Sequence, residues 1–183
     1  GPHALTQGAE LFAKRVRNAR IASVFRRGKL LLLHLDAPAF TEPLTLAVHL
    51  RMTGRFFLAA AEGHCLAELS RSPHAHVIFD IQGLEAPLVY HDVRKFGRLL
   101  ALTPVELQEW PFWKTLGPEP LGLDAEGFGA LFSGRRGRIK ALLLDQKVIA
   151  GIGNIYADES LFRAGIRPEA PVDSLDAQSL QRL

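Results

Sequence analysis

Arg138-Ile-Lys-Ala-Leu-Leu-Leu-Asp-Gln-Lys-Val-Ile-Ala-Gly-Ile-Gly-Asn154-Ile-Tyr-Ala-Asp-Glu-Ser-Leu-Phe-Arg-Ala-Gly-Ile166 passes from one helical pattern to another through a glycine-broken turn. Ile139, Leu142, Leu143 and Gln146 fall at helical spacing and give the first helix one apolar side. Lys140 lies off that stripe and is free to face outward. Gly151 and Gly153 bracket Ile152 and allow a tight path with positive φ. Asn154 stands where an N-cap belongs, with helix expected from Ile155 to Ala164. Gly165 suits the left-handed position after a helix, Ile166 suits the hydrophobic contact beyond it, and Pro168 forbids continuation. The second helix has no acid in its first turn and follows a glycine-rich turn, so its free N–H groups favour an anion. The same spacing also suits an ordinary helical hairpin whose glycines serve only close packing.

Upstream the pattern changes. From Ile21 to Thr103 short strands alternate with turn signals: Leu30 to Leu35, Thr45 to Leu50, Ala75 to Phe79, Pro87 to Tyr90 and Gly97 to Leu102. Strands this close together, with no helices between them, argue for antiparallel sheets packed as a sandwich or flattened barrel. Thr103-Pro-Val-Glu106 marks a helix start, with Thr as N-cap, Pro at the first position and Glu closing a capping box. Gly117-Pro-Glu-Pro120 reads as a rigid linker. The expected class is α+β: an antiparallel β-sandwich over residues 1–115, a linker over 116–123 and a helical domain over 124–183.

Hydrophobic residues make up 48% of the 183, enough for a real core, and no run of 18 apolar residues suggests a membrane span. The single cysteine, Cys65, excludes a disulfide or a Cys-based zinc site within these residues. A reducing, cytoplasmic compartment and a monomer are expected. The net charge of +3 hides an uneven distribution: residues 1–35 carry seven basic side chains and one acid, 36–133 seven against twelve, and 134–183 eight against six. Basic patches of this kind, brought together by a fold, track a phosphate backbone. Arg135-Arg-Gly-Arg138 is either part of such a track or a solvated charge run.

The run from Asp145 to Phe162 resembles the helix-two-turns-helix motif of the formamidopyrimidine-DNA glycosylase (MutM) family. Further blocks agree, in the family's order: Arg26-Arg-Gly-Lys-Leu-Leu-Leu, His49-Leu-Arg-Met-Thr-Gly, Asp92-Val-Arg-Lys-Phe-Gly and Leu116-Gly-Pro-Glu-Pro-Leu. The resemblance covers nearly the whole chain. It implies a bifunctional glycosylase and AP lyase of base-excision repair. Such an enzyme removes oxidised purines such as 8-oxoguanine from double-stranded DNA, then nicks the abasic site. It implies a catalytic role for Lys29 and DNA contacts from His74, Arg94, Lys140 and Asn154. It also implies insertion of Met52, Arg94 and Phe96 into the gap left by the flipped nucleotide. That assignment is physically sensible, since flipping costs a few kcal/mol and an inserted wedge offsets part of it. His76 is expected to support the strand rather than the DNA. A non-catalytic DNA-binding protein retaining the same motif is the alternative, and a protein-interaction domain with incidental basic patches a third.

The chain also departs from the family. The family's nucleophile is an N-terminal proline followed by glutamate, whereas Pro2 here follows Gly1 and its nitrogen is an amide. The family's first helix and its Cys₄ zinc finger are not recognised in these residues, so no cofactor is expected in this chain. The expectation is a central portion, inactive by itself and less stable for want of its covers. A polypeptide of these 183 residues should form no covalent adduct with 8-oxoguanine duplex under borohydride trapping; a trapped band would refute this.

Overall fold

A computed structural model describes residues 7–63 and 65–183, so Pro2 lies outside the described residues. They form two compact units, one of the chain up to Arg26 with Leu30–Leu107, the other of Arg27–Lys29 with Gln108–Leu183.

The first unit contains helix α1 (Ala9–Val16) and strands β1 (Arg20–Arg27, whose last residue belongs to the second unit), β2 (Leu30–Asp36), β3 (Leu44–His49) and β4 (Arg55–Leu58). Helix α2 (Leu66–Arg71), strands β5 (Ala75–Phe79), β6 (Leu88–His91) and β7 (Arg98–Leu102), and helix α3 (Pro104–Glu109, whose last two residues belong to the second unit) follow. One sheet runs β1-β2-β3-β7, the other β4-β6-β5. Pairing is antiparallel in β2–β3, β3–β7, β4–β6 and β5–β6. Two residues join β1 to β2, a connection only antiparallel neighbours allow. Leu44, Leu46 and Val48 of β3 and Leu99 and Ala101 of β7 pack with Tyr90 of β6 and Phe56, Val77 and Phe79 of the second sheet. This shared core makes the sandwich that the sequence pattern implied. β3 is buried along its whole length, as a central strand must be.

Four elements of the first unit lie outside the strands expected from the sequence: α1, β1, β4 and α2, the last a helix between strands where none was expected. Strand β1 is exposed at nearly every position, so it offers no alternation to read. Helix α1 stands where the sequence pattern implied no helix. It is held from outside: Arg15, 8% exposed, donates Nη1 to the Ala101 carbonyl at 2.6 Å and grips Glu106 through Nη1 at 2.7 Å and Nη2 at 2.8 Å. Glu106 also closes the expected capping box. It accepts from Thr103 N–H at 2.9 Å, and its own N–H donates to Thr103 Oγ1 at 3.2 Å.

The second unit holds α4 (Pro111–Lys114), α5 (Ala125–Ala130), α6 (Ile139–Leu144), α7 (Asn154–Ala164) and α8 (Ala177–Arg182). Its core comprises Phe132, Ile139, Leu143, Val148, Ala157, Leu161 and Ile166 among others. The stretch 116–123, read as a linker, is bonded into this unit. Gly117 N–H donates to the Gln146 carbonyl at 2.8 Å and Ala150 N–H to the Pro118 carbonyl at 2.9 Å. A Cβ on Gly117 would stand 2.6 Å from the Val148 backbone, so only glycine fits. Gly165 takes φ 69°, and Ile166 N–H reaches the Leu161 carbonyl at 2.9 Å, the expected helix stop.

Gln146 departs from its expected place. Helix α6 ends at Leu144, and Gln146 lies beyond it, inside the two turns. Its Nε2 donates to the carbonyls of Leu144 at 2.9 Å and Ile152 at 3.0 Å, and its Oε1 accepts from Gly151 N–H at 2.9 Å. Gly151 has φ 100°, as expected, while Gly153, at φ −110°, does not need a left-handed conformation.

Two outcomes follow from these contacts. Replacing Gln146→Ala should cost about 2–3 kcal/mol in urea unfolding, since three backbone groups lose their partner. Gln146→Glu should not restore it, because a carboxylate donates nothing to two carbonyls. For Glu106, the hydrogen bond from Arg15 comes first and outweighs burial, holding its carboxyl below the ordinary range. Its stabilisation is therefore complete above the unfolded carboxyl's pKa and lost as pH falls through the lower folded value. Its side chain is 43% exposed and so partly screened. Glu106→Gln should then cost about 1 kcal/mol at neutral pH, and the gap between variant and parent in thermal unfolding should close under strongly acid conditions.

Candidate nucleic-acid interface

The sandwich brings three of the singled-out residues together. Met52 sits in the turn after β3 and Arg94 and Phe96 in the turn after β6. The Arg94 Nη1 group donates to Met52 Sδ at 3.2 Å, and its guanidinium carbon lies 4.8 Å from the Phe96 ring centroid. All three point into solvent, Met52 at 73% and Phe96 at 52% exposure. Apolar side chains such as Leu121 and Phe162 are exposed elsewhere too, so it is the mutual contact of these three that marks them, not exposure alone. Beside them an open hollow of about 480 Å³ is lined by Arg51, Met52, Lys95, Phe96 and Arg98. Two of these, Arg51 at φ 57° and Lys95 at φ 58°, hold the left-handed conformation that side chains disfavour.

Behind the three, Asp92 is fully buried. It accepts from Thr53 Oγ1, from Gly97 N–H at 2.8 Å, from Arg94 N–H at 3.2 Å and from the Tyr90 hydroxyl at 3.4 Å. Burial pushes its carboxyl upward, but the Thr53, Gly97, Arg94 and Tyr90 bonds together prevail and hold it below the usual range. Burial, and after it the Asp92 charge, pushes the Tyr90 phenol well up.

His74 immediately precedes β5. Its ring lies 5.6 Å from that of His91, and the Nδ1 atoms of both are buried with no hydrogen-bond partner among the described residues. Burial first, then Arg55, His74 and His76, hold His91 below the ordinary imidazole range. His76 sits at the bulge in β5, and its Nε2 lies 2.8 Å from the Asp92 carbonyl, which is a support of the strand.

In the second unit, Lys29 follows Gly28, whose φ of 56° makes the two-residue turn between β1 and β2. Neighbours clasp this tip: Gly28 N–H donates to Glu119 Oε1, and Arg27 Nη2 donates to the Gly117 carbonyl at 2.6 Å. Lys29 Nζ lies 3.6 Å from where a Cβ on Gly153 would stand, beside the start of α7. Lys140 Nζ pairs with Asp158 Oδ1 at 2.7 Å, and Asn154 Nδ2 donates to Asp158 Oδ2 at 3.2 Å. Asn154 is thus not the N-cap expected of it. Gly153 takes that position, and Asn154, the first helical residue, turns its amide to Asp158. Asp158 escaped the sequence reading, although its spacing of four from Asn154 was the available signal. Arg135 to Arg138 are exposed, with Arg135 Nε donating to the Leu131 carbonyl at 2.6 Å.

A Cys₄ zinc site needs four thiolates. The 183 residues hold one cysteine, Cys65, so they cannot by themselves supply that ligand set.

The family model for the formamidopyrimidine-DNA glycosylase N-terminal domain matches residues 2–99, and that for the H2TH domain of the same enzymes matches 116–183. A formamidopyrimidine-DNA glycosylase of Moorella thermoacetica is 45% identical over 176 residues, covering 95% of this chain and 60% of the relative. One from Nitratidesulfovibrio vulgaris is 53% identical over 137 residues, covering 75% of this chain and 36% of the relative. The crystal structure of MutM (Fpg) from Thermus thermophilus superposes with a TM-score of 0.70 at 39% identity, over 93% of this chain and 60% of that one. Lactococcus lactis Fpg in complex with DNA containing an abasic site gives 0.81 at 30% identity, over 99% and 64%. The chain thus spans at most about 60% of these two curated relatives. With models matching both of its units, and with the two-turn element and sandwich in the family's order, the chain belongs to the formamidopyrimidine-DNA glycosylase family.

Proposed function

We propose that this chain serves base-excision repair as part of a DNA glycosylase and AP lyase that acts on duplex DNA bearing oxidised purines, such as 8-oxoguanine, or abasic sites. One observation carries the reading: Met52, Arg94 and Phe96, from two separate loops, stand exposed and already joined to one another. A thioether and a phenyl ring replace the stacking lost when a nucleotide leaves the helix, while a guanidinium supplies donors to the base left unpaired. The bound abasic-site DNA of the Lactococcus lactis Fpg structure supports the substrate class.

Lys29 is assigned the catalytic role, close to the sugar whose elimination it assists. Lys140, Asn154 and His74 are assigned phosphate contacts, with the bare first turn of α7 adding N–H donors. Lys140 and Asn154 share Asp158 as a partner, so a phosphate takes over donors that the carboxylate holds in the free protein. The covalent nucleophile is assigned to none of these residues, and no cofactor is assigned to this chain. No helix among the described residues is long and apolar enough to cross a membrane. A monomer working at the nucleoid in the cytoplasm is the corresponding proposal for its state and place.

If Lys29, protonated His74, Arg94 and Lys140 each displace about one counterion from the duplex, whichever part of the nucleotide they touch, log K against log salt should have a slope of about −3.6. Binding should then weaken roughly 150-fold between about 50 and 200 mM salt, and a flat response would eliminate the backbone contacts. Lys140→Ala should reduce the slope by about one without altering preference for an abasic-site duplex. Met52→Ala or Phe96→Ala should instead reduce that preference; equal loss on intact duplex would contradict the wedge.

A further inference from the structure

We propose that Asp92, acting with Thr53, is a positioning residue that assembles the Met52–Arg94–Phe96 wedge before any DNA arrives. The proposal rests on the wedge reading above and deepens it by naming what holds the wedge.

Met52 and Arg94 lie 42 residues apart, on turns whose flanking strands pair, His49 with Arg98 and Arg55 with His91, but whose own residues, 50–54 and 92–97, lie outside those ladders. Each turn contains one left-handed non-glycine residue, Arg51 in the first and Lys95 in the second. Conformations of that kind persist only where surrounding bonds over-determine them. Around Lys95 those bonds come from Asp92, which holds the amides of Arg94 and Gly97, while Arg51 N–H donates to His49 Nδ1 at 3.1 Å. One carboxylate oxygen takes the Thr53 hydroxyl and the Arg94 N–H, and the other takes the Gly97 N–H and the Tyr90 hydroxyl. Thr53 Oγ1 in turn accepts from Arg94 N–H at 3.2 Å, so hydroxyl and carboxylate grip the same amide. The two turns are tied one residue from Met52 on one side and at Arg94 itself on the other. The glycines complete the fit: a Cβ on Gly97 would stand 1.8 Å from the Tyr90 hydroxyl oxygen, and one on Gly54 would stand 2.4 Å from the Leu50 carbonyl oxygen. The carboxylate is entirely buried while the wedge is largely exposed, so Asp92 acts through its neighbours and not by touching DNA. A wedge fixed in advance loses less side-chain freedom on insertion, which is where a positioning residue makes its difference.

The chain has one methionine, so its labelled methyl group gives one NMR signal, and that signal is Met52. Asp92→Asn removes the charge at constant shape. Thr53→Val removes the hydroxyl and is the decisive variant if Asp92→Asn does not fold; Thr53→Ser keeps the hydroxyl. In folded Thr53→Val the Met52 methyl should become more mobile on the fast timescale. Its affinity ratio between a duplex with a tetrahydrofuran abasic-site analogue and an intact duplex should fall roughly tenfold, the worth of one charge-assisted hydrogen bond. Thr53→Ser should resemble the parent in both. An unchanged Met52 methyl in folded Thr53→Val overturns the proposal whatever the DNA data show. Where the parent prefers the abasic duplex, a mobile methyl with an unchanged affinity ratio overturns it as well. A mobile methyl in a protein whose parent form shows no preference for the abasic duplex leaves the positioning role standing and removes the repair reading instead.

Discussion

A carboxylate shut away from water must have its lone pairs occupied, and at Asp92 this requirement fixes the surroundings. Four donors from three parts of the chain converge on it. Two of them are backbone amides in the turn after β6, a third is the Thr53 hydroxyl in the turn after β3, and the last is a phenol in the core of the sandwich. An isolated buried charge would cost several kcal/mol, and the convergence offsets that cost while removing freedom from both turns. The exposed Met52, Arg94 and Phe96 are the outward face of that arrangement.

Gln146 solves a similar problem in the second unit with a neutral group. Two consecutive turns leave carbonyls and an amide without regular partners, and one primary amide, donor and acceptor at once, satisfies three of them. In both units a polar side chain, rather than a packed apolar one, defines the path of the loops that carry the candidate contacts. Hydrophobic cores such as Leu44, Leu46 and Val48 with Tyr90, or Ile139 with Leu143 and Leu161, hold the elements together but leave the turns undetermined.

This division explains what could be seen in the amino-acid order alone. Leu30 to Leu35, Ala75 to Phe79 and the strand before Thr103 are readable because burial imprints apolar runs on them. The Thr103–Glu106 box and Gly165 are readable because caps obey local chemistry. Strand β1, exposed along its length, leaves no imprint, and α1 is held by Arg15 reaching residues about 90 positions away. The candidate side chains are visible through motif blocks and not through physical pattern. Two fasteners are hidden for a common reason: Asp92 and Gln146 are polar residues whose work is set by partners distant in sequence or across a turn. Gln146 even fits an apolar helical stripe by spacing, though the helix stops before it.

The ion pair of Lys140 with Asp158 has a consequence for how the second unit meets polyanions in general. A protein whose phosphate-seeking groups come with a tethered counterion discriminates by strength of charge. A weak or fleeting anion, a chloride or an isolated carboxylate, offers little that Asp158 does not already give. A phosphodiester flanked by its neighbours along a strand brings several charges at once and outcompetes the resident acid. Under the proposed phosphate role of Lys140 and Asn154, the pairing would act as a built-in threshold, muting attraction to small anions while leaving a continuous nucleic-acid backbone the better ligand.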